Sequence, residues 1–259
     1  MSTPAACSIS GKGKFSMSAI KNYLKKLLKL EANEEGRNAW LHKTLAGLSA
    51  GLRILDAGAG ELRNKPQCAH LSYVSQDFCQ YEGRGNDAGL QTGAWDTSRI
   101  DIVCDIANIP EPDASFDAIL CSEVFEHLPS PHLALAEFQR LLKPGGKLIL
   151  TAPFASLVHF APYHYATGFS RYWYEYHLPQ YHFEIAELVP NGDWFALLRQ
   201  EIIRWPGMAR QAHQLTWPLV YLAAFFGLLY FALARPGHAS SETACFGWHC
   251  VAIKKASQS

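Results

Sequence analysis

The chain of 259 residues has no excess charge of either sign, since 23 lysines and arginines face 23 aspartates and glutamates. A nucleic-acid binder needs a basic field to displace counterions from phosphates, so nucleic acid is not expected as a partner. Charged side chains are also scarce, at 18% of residues against roughly 25% in an average soluble domain. Cysteines occur at 7, 68, 79, 104, 121, 245 and 250, with no CxxC pair. That scatter excludes a disulfide scaffold and points to reduced thiols. The 11 histidines are not interleaved with carboxylates at ligand spacings, so no metal is expected. The N-terminal stretch holds no apolar run of the kind a secretory signal requires, and a cytoplasmic location is expected. Internal repeats and low-complexity tracts are lacking too.

What the chain has in quantity is apolar surface, 49% of residues. That is enough for a large core with some left over for the outside. Residues 11–30 carry six lysines and no acid. From Met17 to Leu30, Ile20, Leu24, Leu27 and Leu28 share one helical face, with Lys21, Lys25 and Lys29 opposite. Such a helix suits either packing on the domain or lying on an anionic membrane surface. From residue 52, short apolar runs alternate with crossovers: Leu52–Ala57, Leu71–Phe78, Ile100–Ile106, Phe116–Ser122 and Lys147–Thr151. A helix is predicted over Pro131–Lys143, stopped by Pro144-Gly145-Gly146. This alternation predicts a parallel sheet covered on both faces, with ligands bound beyond the carboxyl ends of its strands.

Those ends carry the chemistry-bearing residues. Asp56-Ala57-Gly58-Ala59-Gly60 closes the first run, and glycines there let backbone approach a ligand closely. Arg63 occupies the third glycine position of a dinucleotide fingerprint, which argues against a nicotinamide enzyme. Asp77-Phe78 ends the second run, roughly 20 residues beyond Asp56, where an acid can accept both hydroxyls of a ribose. Asp105-Ile106 ends the third and suits an adenine edge and face.

Together, LDAGAGE, QDF and CDIANIPEPDASFDAILCSEVFEHLPSPHLALAEFQRLLKPGGKLILTAPF resemble the class I S-adenosylmethionine-dependent methyltransferases, type 11-like. The resemblance covers roughly residues 50–155. It implies a Rossmann-like, doubly wound α/β sheet of seven strands, ordered 3-2-1-4-5-7-6 with strand 7 antiparallel. It also implies S-adenosylmethionine as cofactor, with Asp56, Gly58 and Gly60 toward its methionine part. Asp77 and Phe78 would lie at the ribose, and Asp105 and Ile106 at the adenine. Cys121, Ser122 and Glu123 would border the sulfonium. Leu62 departs from the pattern, since many members carry a third glycine there.

Methyl transfer is an in-line displacement governed by positioning, and a general base is required only where the acceptor loses a proton. His127, His164 and Tyr163 are the candidates. Residues 159–183 hold ten aromatics and four histidines, a composition suited to an acceptor lid. This stretch resembles, more loosely, methyltransferases of bacterial surface-polysaccharide and glycolipid pathways. Leu215–Ala234 runs without a charge for about the 20 residues that a bilayer crossing takes. Strands expected at Phe183–Val189 and Trp248–Lys254 belong to one sheet, which disfavours a single membrane crossing between them. The segment is expected to lie in the membrane interface, to form a hairpin near Gly227, or to pack on the domain or a second subunit in a homodimer. The expected organisation is an N-terminal helical cap (1–50) and a methyltransferase domain (51–259). The domain includes an aromatic lid (156–182) and a hydrophobic insertion (191–245). The expected acceptor is a small molecule, a glycan or a lipid-linked compound, with peripheral contact to the inner face of the membrane through 17–30 and 215–234. The alternative is a catalytically silent scaffold or regulatory protein on the same fold.

Overall fold

The computed structural model describes residues 33–213, 215–234 and 240–256. Seven strands form one sheet: β1 (Arg53–Ala57), β2 (Ser72–Asp77), β3 (Ile102–Val103), β4 (Phe116–Ser122), β5 (Leu142–Pro153), β6 (Phe183–Asn191) and β7 (Gly247–Lys254). Their order is β3-β2-β1-β4-β5-β7-β6. The pairs from β3 to β5 are parallel, whereas β7 runs antiparallel between β5 and β6. Order and reversal are those expected. The helices are α1 (Asn33–Ala46), α2 (Pro131–Leu141), α3 (Arg171–Gln180), α4 (Trp194–Gln211) and α5 (Trp217–Ala234).

Side chains of β4 alternate between two cores, as a strand covered on both faces must. Ile119 and Cys121 join the cluster of Phe125, Leu135, Phe138 and Tyr174, on the side of α2 and α3. Ala118 and Leu120 join Leu41, Leu45 and Ile54, on the side of α1. The link from β1 to β2 contains a single 3₁₀ turn, Lys65–Cys68, with Pro66 at its start.

Three boundaries differ from the sequence expectation. β3 is only two residues long, because polar side chains terminate it on both sides. Asp101 Oδ2 accepts from Ser75 N and Ser75 Oγ, and Asp105 Oδ1 accepts from Ala107 N. β5 begins at Leu142, and Pro144-Gly145-Gly146 lies inside it as a bulge. The pairing with β4 jumps from Phe116↔Leu142 to Ala118↔Lys147, and Gly145 takes φ +79°. Finally, 217–234 is one continuous helix through Gly227, which removes the hairpin. The basic helix expected at 17–30 lies outside the described residues.

The described residues fall into two compact units, one of 33–201 with 240–256 and one of 202–213 with 215–234. In the second, Val220 and Ala224 are buried, and a Cβ at Gly227 would touch Ile202 at 3.6 Å. Other side chains of α5 face outward: Leu222, Phe225, Phe226, Tyr230 and Leu233 are each more than half exposed. Eighteen residues span about 27 Å at 1.5 Å each, short of a hydrocarbon core of about 30 Å. Among the described residues no helix is long and apolar enough to cross a membrane.

Candidate active site

The turn after β1 folds back onto the end of β2. Gly58 N and Ala59 N both donate to Gln76 O, at 2.8 and 2.9 Å, and Gly60 N donates to Asp77 Oδ2 at 2.9 Å. Gly58 and Gly60 take φ +78° and +51°, and Leu62 also lies in the left-handed region at +62°. The backbone thus asks for glycine at Leu62. A buried leucine meets that demand at a cost of roughly 1–2 kcal/mol, offset by its burial at 7% exposure. A Cβ at Gly58 would lie 2.4 Å from Val124 Cγ2, and one at Gly60 would lie 2.7 Å from Trp95 Cζ2.

Asp77 sits at the tip of β2, nearly buried, with Cys79 N donating to Oδ1 at 2.9 Å. Beside it Phe78 is partly exposed and meets the Tyr163 ring edge-on at 5.0 Å. Gln76 Nε2 donates to Cys104 O at 2.8 Å and ties this tip to that of β3. Just beyond β3, Asp105 is exposed and Ile106 buried.

Two predicted cofactor residues have other commitments. Asp56 is buried and accepts from Tyr73 Oη at 2.6 Å; burial pushes its carboxyl up to about 6. It shares the α1 side of the sheet with Ile54, the same strand two residues earlier. Glu123, at φ +56°, pairs with Arg37 at 3.0 Å and accepts from Thr151 Oγ1 at 3.0 Å. Thr151 Oγ1 in turn lies 2.8 Å from Ser122 Oγ.

A second group forms where a 3₁₀ turn, Phe125–His127, meets residues 157–166. Tyr165 N and Ala166 N both donate to Glu126 O, and Tyr163 O accepts from His127 Nδ1. His127, His159 and His164 thereby converge, with ring centroids 4.6 to 5.9 Å apart. Glu126 is buried to 1% exposure. Burial pushes its carboxyl up to about 7. Burial, reinforced by His159, holds the His127 ring down to about 3. Burial thus disfavours the charged form of both side chains. His164 is likewise shifted down, by burial and then by His159.

The long link from β2 to β3 closes over this region. Leu90 N donates to Val158 O, Phe160 N to Leu90 O and Asn86 N to Ala161 O. Trp95 and Tyr81 pack against Phe160 at 5.2 and 4.5 Å, and His127 stacks on that ring at 5.0 Å. Neither this covering loop nor His159 stood out in the sequence. Their contacts join stretches widely separated along the chain, beyond any local pattern.

Comparison with known proteins agrees with the architecture. Residues 55–150 match the family described as a methyltransferase domain. A ubiquinone biosynthesis O-methyltransferase of Xanthomonas oryzae pv. oryzae is 41% identical over 105 residues, covering 39% of this chain and 43% of the relative. One from Xylella fastidiosa is 38% identical over 109 residues, covering 39% and 42%. The chain thus spans less than half the length of the curated relatives it matches. Among solved structures, the [4+2]-cyclase SpnF has the same fold, with TM-score 0.51 and 20% identity over 83% of this chain and 80% of that one. The fold carries more than one chemistry, so function must be argued from the site.

Proposed function

We propose that this chain, whose residues 55–150 match a methyltransferase domain, is a class I S-adenosylmethionine-dependent methyltransferase that methylates a hydroxyl of a lipid- or sugar-linked small molecule. S-adenosylmethionine supplies the methyl group on a positively charged sulfur. The observation carrying the reading is the hold on Asp77. A carboxylate offers about four lone-pair sites, and Gly60 N and Cys79 N use one on each oxygen. One acceptor site per oxygen is left, which suits the adjacent hydroxyls of a ribose. The glycine turn would lie along the methionine part, and Ile106 and Asp105 would receive the adenine. Ser122 and Glu123, engaged with Thr151 and Arg37, would line the sulfonium region, and Asp56 would brace the turn from behind.

A hydroxyl acceptor must lose its proton as it attacks the methyl group. Tyr163 and His164 contribute apolar bodies with polar tips to the lid at 156–182. Two curated relatives named as O-methyltransferases support oxygen as the methylated atom. The exposed apolar side chains of α5, within the insertion 191–245, favour an amphiphilic acceptor met at a membrane surface. Residues 1–50 would then serve as a cap, of which α1 is the described part.

Calorimetry tests the cofactor half. The wild-type chain should bind S-adenosylmethionine and its demethylated product. Asp77→Ala should weaken binding about 10- to 150-fold, the range for lost bonds to a charged group at roughly 1.5–3 kcal/mol. An unchanged affinity would refute the ribose assignment. Absence of wild-type binding at millimolar ligand would end the whole reading.

A further inference from the structure

We propose that Glu126, His127, His159 and His164 form a site for one divalent transition-metal ion of the zinc class. The site is separate from the cofactor residues at the tips of β1 to β3, and nothing in the methyl-transfer reading requires it.

Geometry comes first. Ligand atoms of the three histidines lie within 4.8 Å of one another. Donors around one ion with bonds of about 2.1 Å sit roughly 3.4 Å apart in a tetrahedron, so small rotations of the rings would complete the site. Glu126 Oε1 is 3.7 Å from both His127 Nε2 and His159 Nε2. That is too long for a hydrogen bond, yet close enough for all three to share an ion.

Unmet bonding capacity points the same way. Among the described residues, 11 buried side-chain nitrogens and oxygens lack a partner. Five of them are here: both oxygens of Glu126, His127 Nε2 and both ring nitrogens of His164. Buried polar groups are ordinarily satisfied, so this concentration calls for an occupant. The occupant must be electron-poor. His127 Nδ1 and His159 Nδ1 are both taken up by carbonyls, of Tyr163 and Leu157. A carbonyl accepts, so each Nδ1 carries a proton, and in the neutral ring each Nε2 presents a lone pair. Two such lone pairs facing a carboxylate repel, and a cation among them reverses the sign. Carbonyls that fix the ligand tautomer from behind are the usual outer support of metal-bound histidines.

Three imidazoles and one carboxylate select the ion. Magnesium and calcium prefer all-oxygen surroundings, whereas imidazole suits zinc, iron, copper and nickel. Four protein donors fill a tetrahedral ion, which would pin residues 157–164 to the turn after β4. The linear sequence hides the set, because Glu126 and His127 stand far upstream of His159 and His164, with α2 and β5 between them.

The test uses the full chain, stripped by dialysis against a chelator and measured without S-adenosylmethionine. Zinc, titrated against a chromophoric chelator, should bind at one equivalent. Cobalt should give the intense visible bands of a low-symmetry nitrogen site. His159→Ala and His164→Ala should each weaken zinc at least 100-fold, while exposed His42→Ala should bind as wild type. Should the variants fail to fold, copper bound to the wild-type chain reads the ligand set through nitrogen hyperfine coupling to imidazole. Binding below a tenth of an equivalent at micromolar zinc would overturn the proposal. So would full binding by the folded His159→Ala/His164→Ala double variant, or a copper spectrum without imidazole nitrogen. Each of these outcomes leaves the Asp77 test untouched.

Discussion

His249 illustrates how burial governs a single residue's response to protons. It lies on β7, stacked on Trp40 at 4.8 Å. Burial first, and the neighbouring Arg37 second, hold its ring down to about 4. In the unfolded chain the ring takes a proton near pH 6.5. Below that pH the unfolded state binds a proton the folded state refuses, so stability present above 6.5 is lost as pH falls toward 4. A shift of that size corresponds to about 3 kcal/mol. His249→Phe keeps the stacking and removes the titration. Its unfolding free energy, from denaturant melts at fixed ionic strength, should lose that much less than wild type between pH 7 and pH 4. Equal slopes would show that another group carries the acid sensitivity. Burial of this kind was not readable from the histidine itself, which stands in an ordinary apolar run.

At the scale of the element, the turn after β1 combines a backbone demand with a packing demand. Gly58 needs positive φ, and a methyl there would overlap Val124. Gly58→Ala should destabilise the fold by about 2–4 kcal/mol, within the range for strained backbone combined with overpacking. Val124→Ala in the same chain should recover the overlap and leave about 1–2 kcal/mol of conformational strain. Chemical denaturation of the two single variants and the double variant reads the split, and additive losses would contradict the contact. The glycines announced this turn in the sequence. Leu62, whose φ matches theirs, was marked only by the resemblance, because a leucine itself carries no outward sign of a left-handed backbone. The bulge in β5 was misread for a related reason. Pro-Gly-Gly is a stop signal to a helix, but a sheet can absorb the same residues as a loop between two paired stretches.

For the molecule as a whole, zero net charge and an exposed apolar helix imply a particular kind of surface behaviour. Salt screens charge attraction and leaves apolar burial largely intact. Flotation with anionic liposomes should therefore recover part of the protein at both low and high salt. Leu222→Glu/Phe226→Glu, which charges the outward face of α5, should abolish the fraction that resists salt and leave cofactor affinity unchanged. A wild-type chain that stays wholly unbound at both salt concentrations would contradict membrane contact. A chain that instead forms dimers sensitive to the same variant would assign α5 to a protein interface.

The strand runs and the acids at their tips were legible from the residues, because each follows from local pattern, whereas strand order and the reversed seventh strand were implied by the resemblance to the family. Short apolar runs, turn glycines and the spacing from Asp56 to Asp77 act within one strand, or over one strand and its crossover. The closed loop over Gly60, the burial of Glu126 and the meeting of three histidines were decided by folding. Each joins segments remote from one another in the chain, and each depends on which side chains lose water when the lid packs on the turn after β4. Desolvation is a property of a place in three dimensions, and no stretch of sequence carries it alone.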